Sequence, residues 1–386
     1  MPLTFEEAAA SLRDALADAG RGLVEREAMV ELVALSAVAG EHLLVIGPPG
    51  TAKSEAVRRT ARALGGNYFE YLLGRFTEPS EIFGPVDLRK LREGTVETET
   101  TGMLPEAEVA FLDEVFLGST AILNTLLGVL NERTFRRGHT RMKVPLRVCV
   151  GASNGLPEEE SLAAFADRFL ARIFVEPVPD PRLEELLAGG ASLWREGEAR
   201  VASLEALDVL ARTAQESDLG PVRPHLAHAL RTLRAAGIGL SDRRAVKVQR
   251  LIAAAAALAG RRTPGVADLW PLVYAVPTKE GQALAREVLR ELLASTENPA
   301  LAAAALEASA GPLARAQRIA RAGREVLGGR PGAGSEELSA WRLKLEGVVR
   351  EMDAGFAPEA LPSELQGLRE EIRMALDGTA QGVAQA

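Results

Sequence analysis

The chain reads LLVIGPPGTAKSEAVRR from Leu43 to Arg59. Four apolar residues predict a buried strand, a turn rich in Gly and Pro follows, and helix-forming residues begin at Lys53. This order matches the phosphate-binding loop that opens a helix after a strand, with Ala52 where the last glycine is usual. A plain Gly-Pro turn explains the same letters less completely, because the strand and the helix both stand where the loop requires them.

The chemistry of this loop predicts a nucleotide site. Backbone N–H groups of small residues can converge on phosphate oxygens at a helix N-terminus, where the helix dipole also favours an anion. We expect Lys53 to reach the β- and γ-phosphates of ATP and the Ser54 hydroxyl to ligate Mg²⁺. The residues predicted to surround the nucleotide are Pro49, Gly50, Thr51, Ala52, Lys53, Ser54 and Glu55.

An acidic pair follows a second apolar run. Val109–Leu112 leads into Asp113 and Glu114, and the carboxyl ends of strands in an open α/β sheet face the ligand crevice. Asp113 suits a direct or water-mediated magnesium contact, and Glu114 suits the polarisation of an attacking water. An apolar run ending in Asp-Glu is by itself a common start of a helix, so the prediction depends on the loop upstream.

Further polar residues follow in an order that suits hydrolysis. Asn154 ends another apolar run, Arg147–Ala152, and can hydrogen-bond a water and a phosphate, or simply cap a loop. Arg168 and Arg172 stand four apart, which predicts one helix face, and an arginine from a neighbouring subunit can neutralise a phosphoryl group. Ser241 and Asp242 predict the start of a helix that carries Arg243 and Arg244. Each arginine alone is more often a solvated surface residue.

The fold class follows from the alternation of apolar runs with helical segments. Helical spacing covers residues 4–20 and 26–39, and an α/β layer architecture is expected. Two hairpins are predicted, one in residues 88–101 with a turn at Glu93-Gly94 and one in residues 135–144 with a turn at Gly138. The predicted strands are Leu43–Ile46, Tyr68–Leu73, Val109–Leu112, Arg147–Ala152 and Ile173–Val178.

Length and composition predict several helix-rich parts. A chain of 386 residues exceeds one compact core, and aromatic residues make up only 4%. After Pro179 the strand signal ends. We therefore expect an αβα nucleotide-binding core in residues 1–180, an all-helical lid in 181–278 and a helical C-terminal extension in 279–386.

Charge and cysteine content limit the possible functions. The net charge of -8 argues against a broad nucleic-acid surface. Cys149 is the only cysteine, which excludes an intramolecular disulfide and a thiolate zinc cluster, and its apolar setting predicts a buried, inert thiol. The N-terminus carries carboxylates where a secretory signal needs an apolar core, and the longest apolar stretch is too short to span a bilayer. The sequence is interpreted as cytoplasmic.

The order of these motifs resembles that of AAA+ ATPases, and within them the MoxR group, closest to its RavA-like branch. The resemblance covers about residues 20–260, and in this group an alanine before the loop lysine looks normal. It rests on GPPGTAKS, FEYLLGRFTEPSEIFGP (69–85), GMLPEAEVAFLDE (102–114), ILNTLLGVLNER (122–133), ASNGLPE (152–158), DRFLAR (167–172) and SDRR (241–244).

The resemblance implies an AAA+ αβα sandwich with a five-stranded parallel sheet, assembled as a homo-hexamer with ATP at subunit interfaces. Leu23 and Val24 become candidate adenine contacts. Lys53, Ser54, Asp113, Glu114 and Asn154 take the nucleotide, metal and sensor roles. Arg168 fits the arginine finger, with Arg172 in reserve, and Arg244 fits the lid sensor, with Arg243 open as an alternative.

The resemblance also implies a chaperone-like remodeller that acts on a protein client, often with a protein bearing a von Willebrand A domain. The β-containing module of RavA-like members is expected to be missing here. Two alternatives use the same residues. One is a nucleotide-dependent binding switch with slow hydrolysis. The other is a DNA translocase, since the AAA+ clade with such insertions also includes replicative helicases. The second predicted hairpin is basic, with Arg136, Arg137, His139, Arg141 and Lys143, as a DNA-binding pore would be.

Overall fold

The computed structural model describes residues 3–193, 201–331, 335–355 and 361–383. The predicted α/β fold is confirmed: five parallel strands form one sheet in the order β2-β3-β6-β1-β7, and β4 and β5 form a separate antiparallel hairpin. The strands are β1 (Leu43–Ile46), β2 (Tyr68–Leu72), β3 (Val109–Asp113), β4 (Thr134–Arg137), β5 (Thr140–Lys143), β6 (Val148–Ser153) and β7 (Ala171–Phe174).

Helices cover the sheet and continue beyond it. Strand β1 is buried at every position, which explains its unbroken apolar sequence. The helices of the first half are α1 (Phe5–Ala19), α2 (Glu27–Ala39), α3 (Lys53–Leu64), α4 (Pro79–Phe83), α5 (Leu88–Arg92), α6 (Thr120–Glu132) and α7 (Glu160–Ala166). Those of the second half are α8 (Leu183–Leu193), α9 (Leu204–Glu216), α10 (Arg223–Ala235), α11 (Asp242–Leu258), α12 (Pro271–Tyr274), α13 (Lys279–Val288), α14 (Arg290–Leu293), α15 (Ala302–Gly328), α16 (Ser335–Gly355) and α17 (Ser363–Val383).

The chain divides into two compact units. The first comprises residues 1–177 and 196–309 and contains the sheet, whose core is filled by side chains such as Phe83, Phe111 and Phe169. The second comprises residues 178–195 and 310–386, with a core of its own around Trp341, Leu345 and Leu365. The predicted boundaries at 180 and 278 fall inside these units, and the division into core, lid and extension stays a prediction.

One of the two predicted hairpins is confirmed and the other is wrong. Strands β4 and β5 turn at Gly138, as expected. Residues 88–101 instead begin with helix α5, because the Asp87 carboxylate accepts hydrogen bonds from the first N–H groups of the helix and caps it. A single antiparallel bridge between Val86 and Thr98 is what remains of the expected pairing.

None of the helices in the described ranges combines the length and the hydropathy that a membrane-spanning segment needs.

Candidate functional site

The loop between β1 and α3 has the backbone of an anion site. Gly50 and Ala52 both adopt positive φ, +78° and +57°, and Ala52 begins α3 without any side-chain cap. The first N–H groups of a helix have no partner inside it, so these donors are available to a ligand. Gly47 is needed for a different reason, since a Cβ there would lie 2.3 Å from the Val175 carbonyl oxygen.

Lys53 is folded back onto this loop. Its side chain is buried, and its ammonium donates to the carbonyl oxygens of Gly47 (2.7 Å) and Pro48 (3.0 Å). Burial lowers the pKa of Lys53, and the charges of Asp113 and Glu114 oppose that shift. The lysine therefore lies within electrostatic reach of both carboxylates.

The acidic pair and Asn154 meet at the ends of neighbouring strands. Strands β3 and β6 pair in parallel, so Asp113 and Glu114 emerge beside Asn154. The Asn154 amide donates to the Glu114 carboxylate (2.8 Å), and the Glu114 N–H donates to the Asp113 carboxylate (3.0 Å). Glu114 has φ +49°, a strained conformation for a residue with a side chain, which is common at functional sites.

The remaining loop residues differ in what they expose. Pro49 and Gly50 are exposed, Ser54 is half-buried, and the buried Thr51 donates its hydroxyl to the Pro48 carbonyl (2.9 Å). The Glu55 carboxylate pairs with Arg58 (2.8 Å), so Glu55 offers its backbone rather than its side chain to the loop.

Leu23 and Val24, the candidate adenine contacts, lie in the turn between α1 and α2. Both are buried, with 3% and 5% of their surface exposed. Two residues further on, the chain passes through a positive φ at Glu25 and reaches Arg26. The structure thus places the predicted adenine segment next to a residue that the sequence analysis missed.

Arg26 connects the phosphate loop to neighbouring segments by hydrogen bonds. It is 4% exposed, and its guanidinium donates to the carbonyl oxygens of Thr51 (2.7 Å), Glu25 (2.5 Å) and Glu176 (2.7 Å). Three elements are thereby joined: the turn before α2, the loop and the chain after β7. A lone Arg between two glutamates carries no sequence signal for this task, since its partners are backbone groups.

The predicted arginines do not share a helix face, and that prediction is wrong. Helix α7 ends at Ala166, because the chain turns at Asp167 into β7, which contains Arg172. Arg172 is buried and donates to the carbonyl oxygens of Ala166 (3.1 Å) and Pro277 (2.9 Å). Burial lowers its pKa to about 10, and the nearby Arg244 adds to the shift.

Arg168 and the two arginines at the start of α11, Arg243 and Arg244, have separate surroundings. Arg168 is half-buried, and its Nε has no hydrogen-bond partner. Arg244 is 2% exposed and pairs with Asp167 (2.9 Å), whereas the half-buried Arg243 donates to Asn131. In the described part of the chain, no hydrogen bond or ion pair joins these arginines to Lys53, Asp113, Glu114 or Asn154.

The donor set fits magnesium bound together with a nucleotide. Mg²⁺ is usually held by one or two protein oxygens together with substrate phosphates, rather than by a cage of protein ligands. Ser54 and Asp113 supply such oxygens, and the described residues contain no cluster of three or more His, Cys, Asp and Glu side chains suited to a metal. When bound, the ion would neutralise phosphate charge.

A phosphate loop after the interior strand β1 and an acidic pair at the end of β3, on a five-stranded parallel sheet, define a P-loop protein of the AAA+ class. A family model described as the MoxR domain in the MoxR-vWA-beta-propeller ternary systems matches residues 10–212. The chain belongs to the MoxR family of AAA+ ATPases.

Three known proteins illustrate the similarity. An uncharacterized protein of Methanocaldococcus jannaschii is 39% identical over 248 residues, which are 64% of each chain. Chaperone MoxR1 of Mycobacterium tuberculosis is 28% identical over 187 residues, 47% of this chain and 49% of its own. A crystal structure of a candidate ATPase from Cytophaga hutchinsonii aligns with TM-score 0.59 at 17% identity, over 76% of this chain and 97% of that one. The chain thus spans less than two thirds of the length of these sequence relatives.

Proposed function

We propose that this chain hydrolyses ATP as a subunit of a MoxR-type ring and uses the energy to remodel a protein client. The observation that carries the proposal is the meeting of Lys53, Asp113, Glu114 and Asn154 at the carboxyl edge of the sheet, beside the uncapped start of α3. This arrangement supplies the parts that phosphoryl transfer to water requires: phosphate binding, charge neutralisation and a base.

Each side chain has one task in this proposal. The N–H groups of the loop and the Lys53 ammonium bind and orient the phosphates, and Arg26 holds the loop in shape through the Thr51 carbonyl. The Glu114 carboxylate accepts a proton from the attacking water. Asn154 orients Glu114 by its 2.8 Å hydrogen bond, and Ser54 and Asp113 would hold the metal. Arg168 neutralises charge on the nucleotide of a neighbouring subunit.

The description of the matched family motivates the proposed partner. That family model is named for systems in which a MoxR domain occurs with a vWA and a beta-propeller component. We propose a protein with a von Willebrand A domain as the partner through which the ring reaches its client. Hexameric assembly belongs to the same proposal.

Steady-state ATP turnover by the purified chain tests the enzymatic part. Glu114→Gln removes the base while preserving size, so we expect turnover to fall by about 10²-fold or more with nucleotide affinity retained. Glu158→Gln is the matched control, because it neutralises an exposed carboxylate in the loop that follows Asn154. Full activity of Glu114→Gln, or equal loss in both variants, would remove Glu114 from the mechanism.

A binding switch with slow hydrolysis is the second candidate, and the Asn154–Glu114 hydrogen bond favours it. That bond occupies one oxygen of the carboxylate that must accept the proton. If the ring forms with ATP but turns over below about 0.01 per second, far under the typical 10 per second for enzymes, the switch is the better description. Asn154→Ala then separates the two candidate functions. Loss of the hydrogen bond frees the Glu114 carboxylate, and this raises the hydrolysis rate only if that bond is what keeps hydrolysis slow.

A further inference from the structure

The surroundings of Arg244 differ from those of a residue that waits for a nucleotide. Its guanidinium donates to the Asp167 carboxylate (2.9 Å) and to the carbonyl oxygens of Phe169 (3.3 Å), Leu170 (2.5 Å) and Ala275 (2.9 Å). Each of its three nitrogens therefore has a partner, and 2% of the residue is exposed. Four of the five N–H donors of Arg244 are therefore engaged by acceptors of the protein itself in this arrangement.

Three of these four acceptors lie on either side of Arg168. We name residues 167–172 the finger segment. Asp167 precedes Arg168, while Phe169 and Leu170 follow it, so Arg244 contacts the segment on both sides of the candidate arginine finger. Arg172 closes the far end of the segment by binding the Ala166 and Pro277 carbonyl oxygens.

The contact joins the finger segment to the helical region that follows the sheet. Arg244 is on α11, and Ala275 and Pro277 come just after α12. Burial disfavours the charged guanidinium of Arg244 and lowers its pKa, and the charges of Asp167 and, to a smaller extent, Glu41 oppose the shift. Removing Arg244 would take the donor away from the half-buried Asp167 carboxylate and from the carbonyl oxygens of Phe169 and Leu170, so the conformation of the segment depends on Arg244.

Arg243 is placed differently although it is the next residue. It is half-buried and donates to Asn131 at the end of α6 rather than to the finger segment. Adjacent residues of a helix point in directions about 100° apart, so the two lid arginines cannot perform the same task. Among the described residues, Arg243 has one hydrogen-bonded side-chain partner, Asn131.

We propose that Arg244 is a positioning residue that sets the conformation of Arg168, and thereby controls hydrolysis in the neighbouring subunit rather than in its own. The proposal rests on the function proposed above, in which Arg168 acts across the subunit interface. The Arg244–Asp167 pair is the structural link between the lid helix α11 and the finger segment.

Mixed assemblies of two variants test where Arg244 acts. Arg244→Ala alone should lose about 100-fold in turnover, the size of effect that a misplaced group produces, with nucleotide affinity within a factor of three. Mixing it with Glu114→Gln should restore ATPase activity, because the Arg244→Ala subunit keeps an intact site and the Glu114→Gln subunit supplies a positioned Arg168. Mixing it with Arg168→Ala should restore nothing, since neither variant then supplies a positioned Arg168. Recovery in that second mixture means that Arg244 serves its own subunit, which overturns the proposal.

A double-mutant cycle separates positioning from direct contact with the neighbour's nucleotide. If Arg244 acts through the segment, Asp167→Asn also loses activity, and the double variant is no worse than Arg244→Ala. If Arg244 touches the nucleotide directly, Asp167→Asn stays near wild type and the proposal fails. Asp167→Asn is also the milder variant should Arg244→Ala not fold, because the three carbonyl contacts of Arg244 remain available.

Lys247→Ala is the matched control. Lys247 lies one turn along α11 and pairs with the buried Glu41 (2.6 Å), so its loss breaks an ion pair of the same helix away from the finger segment. It should keep wild-type turnover. The failure of the underlying function has a separate signature, namely full activity of Arg168→Ala. Loss of activity in Arg168→Ala together with wild-type activity in Arg244→Ala refutes this inference alone.

Discussion

At the scale of single residues, the site contains backbone conformations that no pattern in the sequence predicts. Ala52 and Glu114 both have positive φ, and both flank the proposed phosphate position. A residue with a Cβ in this region costs about 1–2 kcal/mol relative to an ordinary conformation. The sequence predicted Lys53, Asp113, Glu114 and Asn154 as site residues because each belongs to a short motif that follows an apolar run. It could not identify Arg26, whose partners are carbonyl oxygens of residues 25, 51 and 176.

The first prediction concerns the strain at Ala52. Ala52→Gly removes the Cβ at φ +57°, so we expect the free energy of unfolding to rise by up to about 1 kcal/mol. Ala17→Gly is the control, because Ala17 is exposed within α1 and glycine in a helix costs about 0.5–1 kcal/mol. Urea denaturation followed by circular dichroism measures both. Equal destabilisation in the two variants would show that Ala52 stores no strain.

The second prediction concerns Arg26. Its removal takes the guanidinium donor away from the buried carbonyl oxygen of Thr51, so Arg26→Ala should cost about 1–3 kcal/mol of stability. The loop should also lose its shape, and nucleotide affinity should fall on the order of tenfold, as measured with a fluorescent nucleotide. Arg59→Ala serves as the control, because that arginine donates to a single carbonyl, of Arg21, near the surface. Unchanged nucleotide affinity in Arg26→Ala would show that the shape of the loop does not depend on the hydrogen bonds of Arg26.

At the scale of elements, predictions succeeded where burial alone decides. The apolar runs gave the five sheet strands to within a few residues, because a strand covered on both faces must be apolar throughout. Segments whose conformation depends on a cap or a turn were mispredicted. The Asp87 cap produced α5 in place of a strand. The turn at Asp167 left Arg168 in the turn itself and Arg172 in β7.

The third prediction concerns the contact between α2 and α15. Glu31 accepts hydrogen bonds from the N–H groups of Ala303 and Ala304, yet burial raises its pKa to about 7, with Glu27 and Glu307 adding to the shift. The folded protein then binds more protons at this site than the unfolded chain does between pH 4.5 and 7. The contribution of Glu31 to stability is therefore fully present below pH 4.5 and is lost as the pH rises through 7.

Glu31→Gln tests this sign, since glutamine cannot ionise. The difference in free energy of unfolding, variant minus wild type, should increase by on the order of 1–3 kcal/mol between pH 5 and 8. Glu6→Gln, an exposed carboxylate in the first turn of α1, should show no such trend. A difference that stays flat or falls with pH would mean that the Glu31 carboxylate is stabilised as an anion by the start of α15.

At the scale of the whole molecule, the sequence separates sheet-containing from helical regions but not the way in which helices group. Residues 178–195 belong with 310–386 in the second compact unit, although more than 100 residues of the first unit lie between them. Such grouping is decided by contacts between distant helices, such as α8 and α16, whose amphipathic patterns look alike. The same limit applies to assembly, because a surface that meets another copy has no local signature.

The last prediction concerns that assembly. Arg168 is half-buried with an unpartnered Nε, and in the described residues it forms no ion pair with the catalytic candidates of its own chain. If Arg168 completes the site of a neighbour, ATP turnover per subunit must rise with protein concentration as rings form. The rise should reach about 10³-fold, the lower end of the effect of a trans-acting arginine. Nucleotide affinity should not change with protein concentration, because Lys53 and its loop belong to one chain. Arg168→Ala should bind nucleotide equally well and stay slow at every concentration. Turnover per subunit that is constant across the concentrations at which sedimentation shows assembly would place the complete hydrolytic site within a single subunit.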